Sequence, residues 1–321
     1  MPPLLNDMGI TSWGAAHGLG EIVAGHPNLT NLKVHMANGD LGRDNGARIV
    51  CRVCCGCRHL RHLDLDLSGN ELRDSAILSR LSTLPELGSL LLNLTGNRRV
   101  GVRTQRSLAT ALARSTLRTC SLRLQHTGLS SLPALPPLRG LRLCAPRIEL
   151  VLTGLTGENA PLLERLHLNL TDAGLGDVGC DLLSQRLAVC TALECLTLQL
   201  AGNGIGDVGA RRLFRHALSR SLRVLVVDLS GNNLTGVGLF HLFRRSSLPR
   251  LRQFRLDLSR NGNGMTSEGV VSATEHLFTS VQGTMERVVL VLRGLGLDPG
   301  AQRAIPSLLP PGRVARSSVL V

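Results

Sequence analysis

Three groups of residues in this 321-residue chain have types and spacings that could do chemistry. Gly204-Ile-Gly206-Asp-Val-Gly209 satisfies the G-x-G-x-x-G spacing with which a strand-to-helix turn cradles a dinucleotide pyrophosphate. Asp228 lies about 20 residues further on, where a ribose-binding acid belongs. Cys51, Cys54, Cys55, Cys57, His59 and His62 supply enough thiolate and imidazole donors for zinc. His167 is a lone histidine that could act as a base.

Each group has a competing explanation. The glycine string recurs as Gly174-Leu-Gly176-Asp-Val-Gly179, and Asp177 and Asp207 would set a carboxylate beside the phosphates, so it reads as a repeat element rather than a cofactor site. The cysteines form one continuous passage, whereas structural zinc sites pair two C-x-x-C elements across a loop. Buried thiols in the first helix are expected there, with no metal. No nucleophile is accompanied by a base at readable spacing, and His167 reads as a surface contact. Catalytic residues, cofactors and metals are therefore all expected to be none, and the chain is not expected to be an enzyme.

Composition bounds the rest. The chain is 43 % hydrophobic but only 2 % aromatic, with no Tyr, so aliphatic packing must build the core. Thirty-five of the 36 basic residues are Arg, Lys33 being the exception, which points to codon usage before a selected phosphate surface. The formal charge of +13 suits an anionic partner but does not locate one. The start, Met-Pro-Pro-Leu-Leu-Asn-Asp, lacks the pattern of a signal peptide, and no apolar run approaches a membrane span. A cytoplasmic protein with reduced cysteines, mostly at helical positions, is expected. Asn-x-Thr sequons begin at Asn28, Asn93, Asn169 and Asn233, of which Asn93 and Asn169 fall inside expected strands.

The elements that would position these residues are repeats. Aligning the segments that start at Leu60, Leu163, Leu193 and Leu222 yields L-x-x-L-x-L-x-L-x-x-N-x-[LI]-x-D-x-G. Alternating leucines demand a strand with one buried face, and helical spacing follows in stretches such as ARRLFRHALSRS from Ala210. The step is roughly 30 residues. Asn70, Asn97, Asn203 and Asn232 share one position, where an inward Asn can bond the backbone of neighbouring turns. Gly179, Gly209 and Gly238 share another, where a small residue permits a tight turn or close packing. Weaker copies start at Leu29, Leu87, Leu117, Leu251 and Met285, with an insertion after Asn261. Residues 135–155 are proline-rich, with Pro136, Pro137 and Pro146 and with Pro133 just before, and are expected to replace the helix by an extended connection. Ile10, Ser12, Trp13 and Gly14 match the tail of a unit, which suggests truncated ends. About nine units in a single domain over 1–321, irregular around 130–160, are expected.

Residues 10 to 300 resemble the ribonuclease-inhibitor-like, cytosolic class of leucine-rich-repeat proteins. The resemblance implies an α/β solenoid (a horseshoe), with a parallel sheet on the concave face, helices on the convex face, and protein-protein binding. The extra x-Leu, as in Leu65-Asp66-Leu67, departs from the commonest pattern and lengthens the strand by one inward residue. The Ran GTPase activator family is similar in its repeats, but this chain ends RVARSSVLV instead of in an acidic tail. Ser318-Val-Leu-Val could mimic a hydrophobic carboxylate ligand of a β-augmentation domain.

The candidate partner surface comprises the strand positions that point away from the core: Asp64, Asp66, Asn93, Arg165, His167, Asn169, Thr197, Gln199, Val226, Asp228, Arg255 and Asp257. Lys33, His35, His62, Ser89, Cys195, Val224 and Gln253 share the pattern, and this face is expected to be mixed and near neutral. The surplus arginines are expected on the helices, at Arg211, Arg212, Arg215, Arg220, Arg244 and Arg245. A non-catalytic scaffold that binds a protein on its strand face is the leading reading. Nucleic-acid or anionic-surface binding through the helical arginines and a GTPase-activator-like regulator are the alternatives. Nucleic acid is disfavoured by the lack of aromatic stacking platforms.

Overall fold

Parallel strands alternate with helices, as the switch between period 2 and period 3.6 requires. The computed structural model describes residues 26, 28–39, 41–113, 116–216, 219–243, 248–261, 264–280, 285–308 and 318–320. Ile10, Ser12, Trp13, Gly14, Arg244, Arg245 and the insertion at 262–263 lie outside the described residues. Two compact units divide the chain: Met1–Ala145 with Glu149–Asn159, and Pro146–Ile148 with Ala160–Val321.

In the first unit the strands are β1 (Asn31–His35), β2 (His62–Asp66), β3 (Ser89–Asn93), β4 (Thr119–Arg123) and β5 (Gly140–Cys144). Each pairs in parallel with the next, so that Val34, Leu65, Leu92, Leu122 and Leu143 form one buried row. Helix α1 (Gly42–Gly56) and a 3-10 segment (Ile77–Thr83) pack together, and the latter packs on α2 (Val102–Ala113). The short helix α3 (Ile148–Gly154) follows β5.

The second unit holds β6 (Arg165–Asn169), β7 (Cys195–Gln199), β8 (Val224–Asp228), β9 (Gln253–Asp257), β10 (Arg287–Val291) and β11 (Ser318–Leu320), again parallel and in sequence order. Between them run α4 (Gly176–Ala188), α5 (Asp207–His216), α6 (Gly236–Phe243), α7 (Ser267–Ser280) and α8 (Pro299–Ser307), each packed on the next. One repeat shows how the sequence makes its turn. Leu193, Leu196, Leu198 and Leu200 are all buried to 1 % exposure or less, and each such leucine contributes about 1.5–3 kcal/mol of transfer free energy.

The added leucine carries the ladder one bond further. The Leu67 N–H donates to the Asn93 carbonyl at 2.9 Å, Leu170 to Gln199 at 2.9 Å and Leu200 to Asp228 at 2.8 Å. The buried asparagines continue the interlock behind it. Asn232 Oδ1 accepts from the backbone of Asn203 (2.9 Å) and Ile205 (3.0 Å), and its Nδ2 donates to the carbonyls of Leu200 and Leu229, both at 2.9 Å. Asn70, Asn97 and Asn203 do the same in their own turns, and Asn261 joins them by bonding Leu234 N–H and the Leu229 carbonyl.

Two expectations need correction. The extended connection lies earlier than expected, at 127–138, where Leu129, Leu132, Leu135 and Leu138 are buried at every third residue around Pro133, Pro136 and Pro137. Residues 148–154, free of proline, form α3 instead. The C-terminal Ser318, Val319 and Leu320 are not presented to a partner as a loose ligand. They form β11 against β10, with the Leu292 N–H donating to the Leu320 carbonyl at 2.7 Å.

Candidate functional site

Pleating sends alternate side chains of each strand to opposite faces, so the twelve residues expected to contact a partner all lie opposite the leucine rows. In the first unit Asp64 pairs in register with Leu91, and Asp66 with Asn93. In the second unit three rows run across the strands: Arg165, Cys195, Val224 and Gln253; His167, Thr197, Val226 and Arg255; Asn169, Gln199, Asp228 and Asp257. Arg165 and Arg255 are exposed and the other ten are half-buried.

The last row has a local role that sequence reasoning missed. Asp228 Oδ1 accepts from the Ser230 backbone N–H at 2.9 Å and from the Ser230 hydroxyl at 2.6 Å, closing the turn that leaves β8. Asp66 does the same with Ser68, at 3.0 and 2.7 Å. Asp257 with Ser259, Asn93 with Thr95 and Asn169 with Thr171 accept the backbone bond alone. The signal was present in the sequence as [DN]-x-[ST] at the ends of β2, β3, β6, β8 and β9, a spacing that lets an acid or amide accept from the backbone two residues on. Three of the four sequons, at Asn93, Asn169 and Asn233, coincide with these turns or with the residue after the asparagine ladder. These side chains are therefore held in place before any partner arrives.

Charge on the face is also paired within it. His35 Nε2 lies 3.2 Å from Asp64 Oδ2, and Asn93 Nδ2 donates to Asp66 Oδ2 at 3.0 Å. Burial would raise the Asp66 carboxyl, but the Ser68 and Asn93 hydrogen bonds outweigh it, helped by nearby His35, and the pKa lies below the ordinary value. The same balance holds at Asp74. Burial opposes ionisation there, while backbone donation from Arg103, Thr104 and Gly101 wins, at 2.9, 2.6 and 3.1 Å. A depressed folded-state pKa means stability that is complete above the unfolded value of about 4 and lost as pH falls through the folded one. The melting temperature is expected to drop below about pH 4, and Asp74→Asn should make that acid-side drop shallower in a calorimetric pH series. An unchanged acid limb would rule out Asp74 as a contributor.

The glycine string serves the repeat. The Gly206 N–H, which a phosphate would need, donates instead to Asp177 Oδ1 of the preceding turn at 2.8 Å. Asp207 likewise accepts from the Thr235 N–H and hydroxyl, at 2.8 and 2.6 Å. The acids that argued against phosphate thus satisfy the start of the next repeat's helix. All nine cysteines are free thiols; Cys54 and Cys57 are buried, and Cys120, Cys144 and Cys195 fall on strands rather than helices. Burial pushes the Cys54 thiol up to about 12 and Cys57 to about 11. Among the described residues no group of three or more His, Cys, Asp or Glu is placed to hold a metal ion.

The helical arginines are described in part. Arg211 and Arg212 are exposed on α5, and Arg220 is exposed in the turn before β8. Arg123 and Arg142 are also exposed, but on the strand face of β4 and β5. That face is therefore not uniformly near neutral. Arg123 holds the seventh position of the weak copy from Leu117, whereas the short spacing before β5 hid Arg142 from the repeat template.

Residues 193–214 and 220–243 match a family model described as Leucine Rich repeat. Among solved structures, the leucine-rich-repeat-containing protein LegL7 from Legionella pneumophila is similar at 19% identity, covering 97% of this chain and 89% of that one with a TM-score of 0.51. Human 5T4 (Wnt-activated inhibitory factor 1, trophoblast glycoprotein) is similar at 21% identity over 80% and 88%, with a TM-score of 0.43. No curated protein matches the sequence. The match over these two stretches and the likeness to LegL7, together with the repeating strand-and-helix unit, give the chain the α/β solenoid fold of leucine-rich repeats. Among the described residues no helix is long and apolar enough to cross a membrane.

Proposed function

We propose that this protein is a non-catalytic scaffold that binds a protein partner on the solvent-facing side of its strands. One observation carries the reading. Rows of Asp, Asn, Gln, Thr, His and Arg stand in strict register on a surface where Asn169, Asp228 and Asp257 of the last row are pre-set by hydrogen bonds to the following turn. Ordering of interface side chains costs about 0.5–1.5 kcal/mol per flexible residue, and side chains already held by turns avoid much of that loss. The helix in every turn of the second unit supports a ribonuclease-inhibitor-like arrangement, and a cytoplasmic setting agrees with nine free thiols. A GTPase-activator-like role has no observation in its favour.

The test must spare the turns. Exchanging Asp228 and Asp257 for arginine would remove turn acceptors along with charge, whereas Asp228→Asn with Asp257→Asn keeps an Oδ1 acceptor. The double Asn variant is expected to weaken a captured partner about tenfold, consistent with two interface charges, in a complex that persists at raised salt. Circular dichroism should be unchanged. If Arg211→Glu with Arg212→Glu abolishes binding instead, and binding collapses as salt rises, the anionic-surface reading replaces this one.

A further inference from the structure

The chain's charge is concentrated where the repeat template is weakest. Between Leu87 and Ile148 there are ten arginines and no aspartate or glutamate, which is most of the formal charge of +13. Two of these arginines, Arg123 on β4 and Arg142 on β5, stand exposed on the strand face. Their register places Arg142 beside Ser121 and Arg123 one step along, so their Cα atoms lie roughly 8 Å apart from strand spacing and rise. Arg118 and Arg139, also exposed, immediately precede the same two strands. The acids on this unit's strand face, Asp64 and Asp66, sit on β2 and are engaged by His35 and by Ser68 and Asn93. Beside the arginines the face is uncharged: Leu91, 41 % exposed, pairs in register with Ser121, and the Thr119 hydroxyl donates to Ser89 Oγ at 2.9 Å.

The geometry points to a docking site on β3–β5 for an acidic, extended protein segment that carries an apolar residue among its carboxylates. This rests on the scaffold reading above and names the chemistry of one partner. Guanidinium groups present paired donors in a plane that matches carboxylates, and two on adjacent strands can engage acids two residues apart in an extended chain. Leu91 supplies the apolar contact. It also favours a peptide over a nucleic acid, because β3, β4 and β5 carry no aromatic ring on which a base could stack.

The probes are a fluorescent peptide of glutamates with one central leucine, an all-glutamate peptide, an all-glutamine peptide and an oligothymidine of matched charge, titrated into the full chain by anisotropy. The leucine-containing acidic peptide should bind best and the glutamine peptide not at all. Arg123→Glu with Arg142→Glu should weaken it about tenfold or more, from reversal of two exposed charges, and Arg211→Glu with Arg212→Glu less than about twofold. Arg123→Gln with Arg142→Gln, a milder change of the same sign, should give a smaller loss, with the melting curve confirming an intact fold. Leu91→Ser should erase the preference for the leucine-containing peptide over all-glutamate. The inference is overturned if the acidic peptide does not bind, if the helical pair matters as much as the strand pair, if Leu91→Ser leaves the preference unchanged, or if oligothymidine competes more strongly. Failure here with the Asp228/Asp257 effect retained would leave the scaffold reading standing; loss of both would remove it.

Discussion

Asn232→Ala is expected to lower the unfolding free energy by about 4 kcal/mol, from three buried backbone groups that lose their side-chain partner. The side chain is 3 % exposed and ties its own turn to the preceding one, accepting from Asn203 and Ile205 and donating to Leu200 and Leu229. Alanine leaves the Asn203 and Ile205 N–H groups and the Leu200 carbonyl without these bonds, while the Leu229 carbonyl keeps Asn261, and each unsatisfied buried group costs about 1–3 kcal/mol before local relaxation. Urea unfolding followed by circular dichroism measures the effect. Asn233→Ala, one residue on and exposed, is the matched control, with an expected change within about 0.5 kcal/mol. Equal midpoints for the two variants would mean that the ladder contributes nothing beyond an ordinary polar residue.

Gly209→Ala is the second large effect, expected at about 2–3 kcal/mol through overpacking. A methyl group there would overlap Asp177 Oδ1 and fall 2.8 Å from Asp177 Cα. The carboxylate could swing aside only by giving up its bond to the Gly206 N–H, and the clash with the Asp177 backbone would remain. Two consequences can be measured. Gly157→Ala, with nothing within 4 Å of the added methyl, should be neutral or slightly stabilising. In an Asp177→Ala background Gly209→Ala should still destabilise, because backbone rather than side chain sets the limit. Full rescue by Asp177→Ala would show that only the carboxylate was in the way.

These two positions mark how far the sequence could be read. The alternating leucines from Leu193 and the recurring Asn203 and Asn232 announced a strand, an inward row and a ladder, because the periods of strand and helix are local properties of the chain. The closeness of Gly209 to Asp177 was only half legible. A small residue was expected there, but its neighbour lies one whole repeat away and depends on how turns stack. The candidate surface divides in the same way. Which residues face solvent followed from alternation, as at Thr197 and Val226, while the bond from Asn93 to Asp66 across neighbouring strands had to be seen. Arg142 escaped the template because the proline-rich run after β4 breaks the repeat step that made other strands recognisable.

The sequence by itself determined the repeating unit, its aliphatic core and the face each strand presents, since hydrophobic periodicity and backbone pleat are written residue by residue. Tertiary structure alone decided which acids cap the next helix and which side chains pair across the strand face. Those properties belong to pairs of residues about 30 positions apart, and only the parallel register of stacked turns brings such pairs within hydrogen-bonding distance.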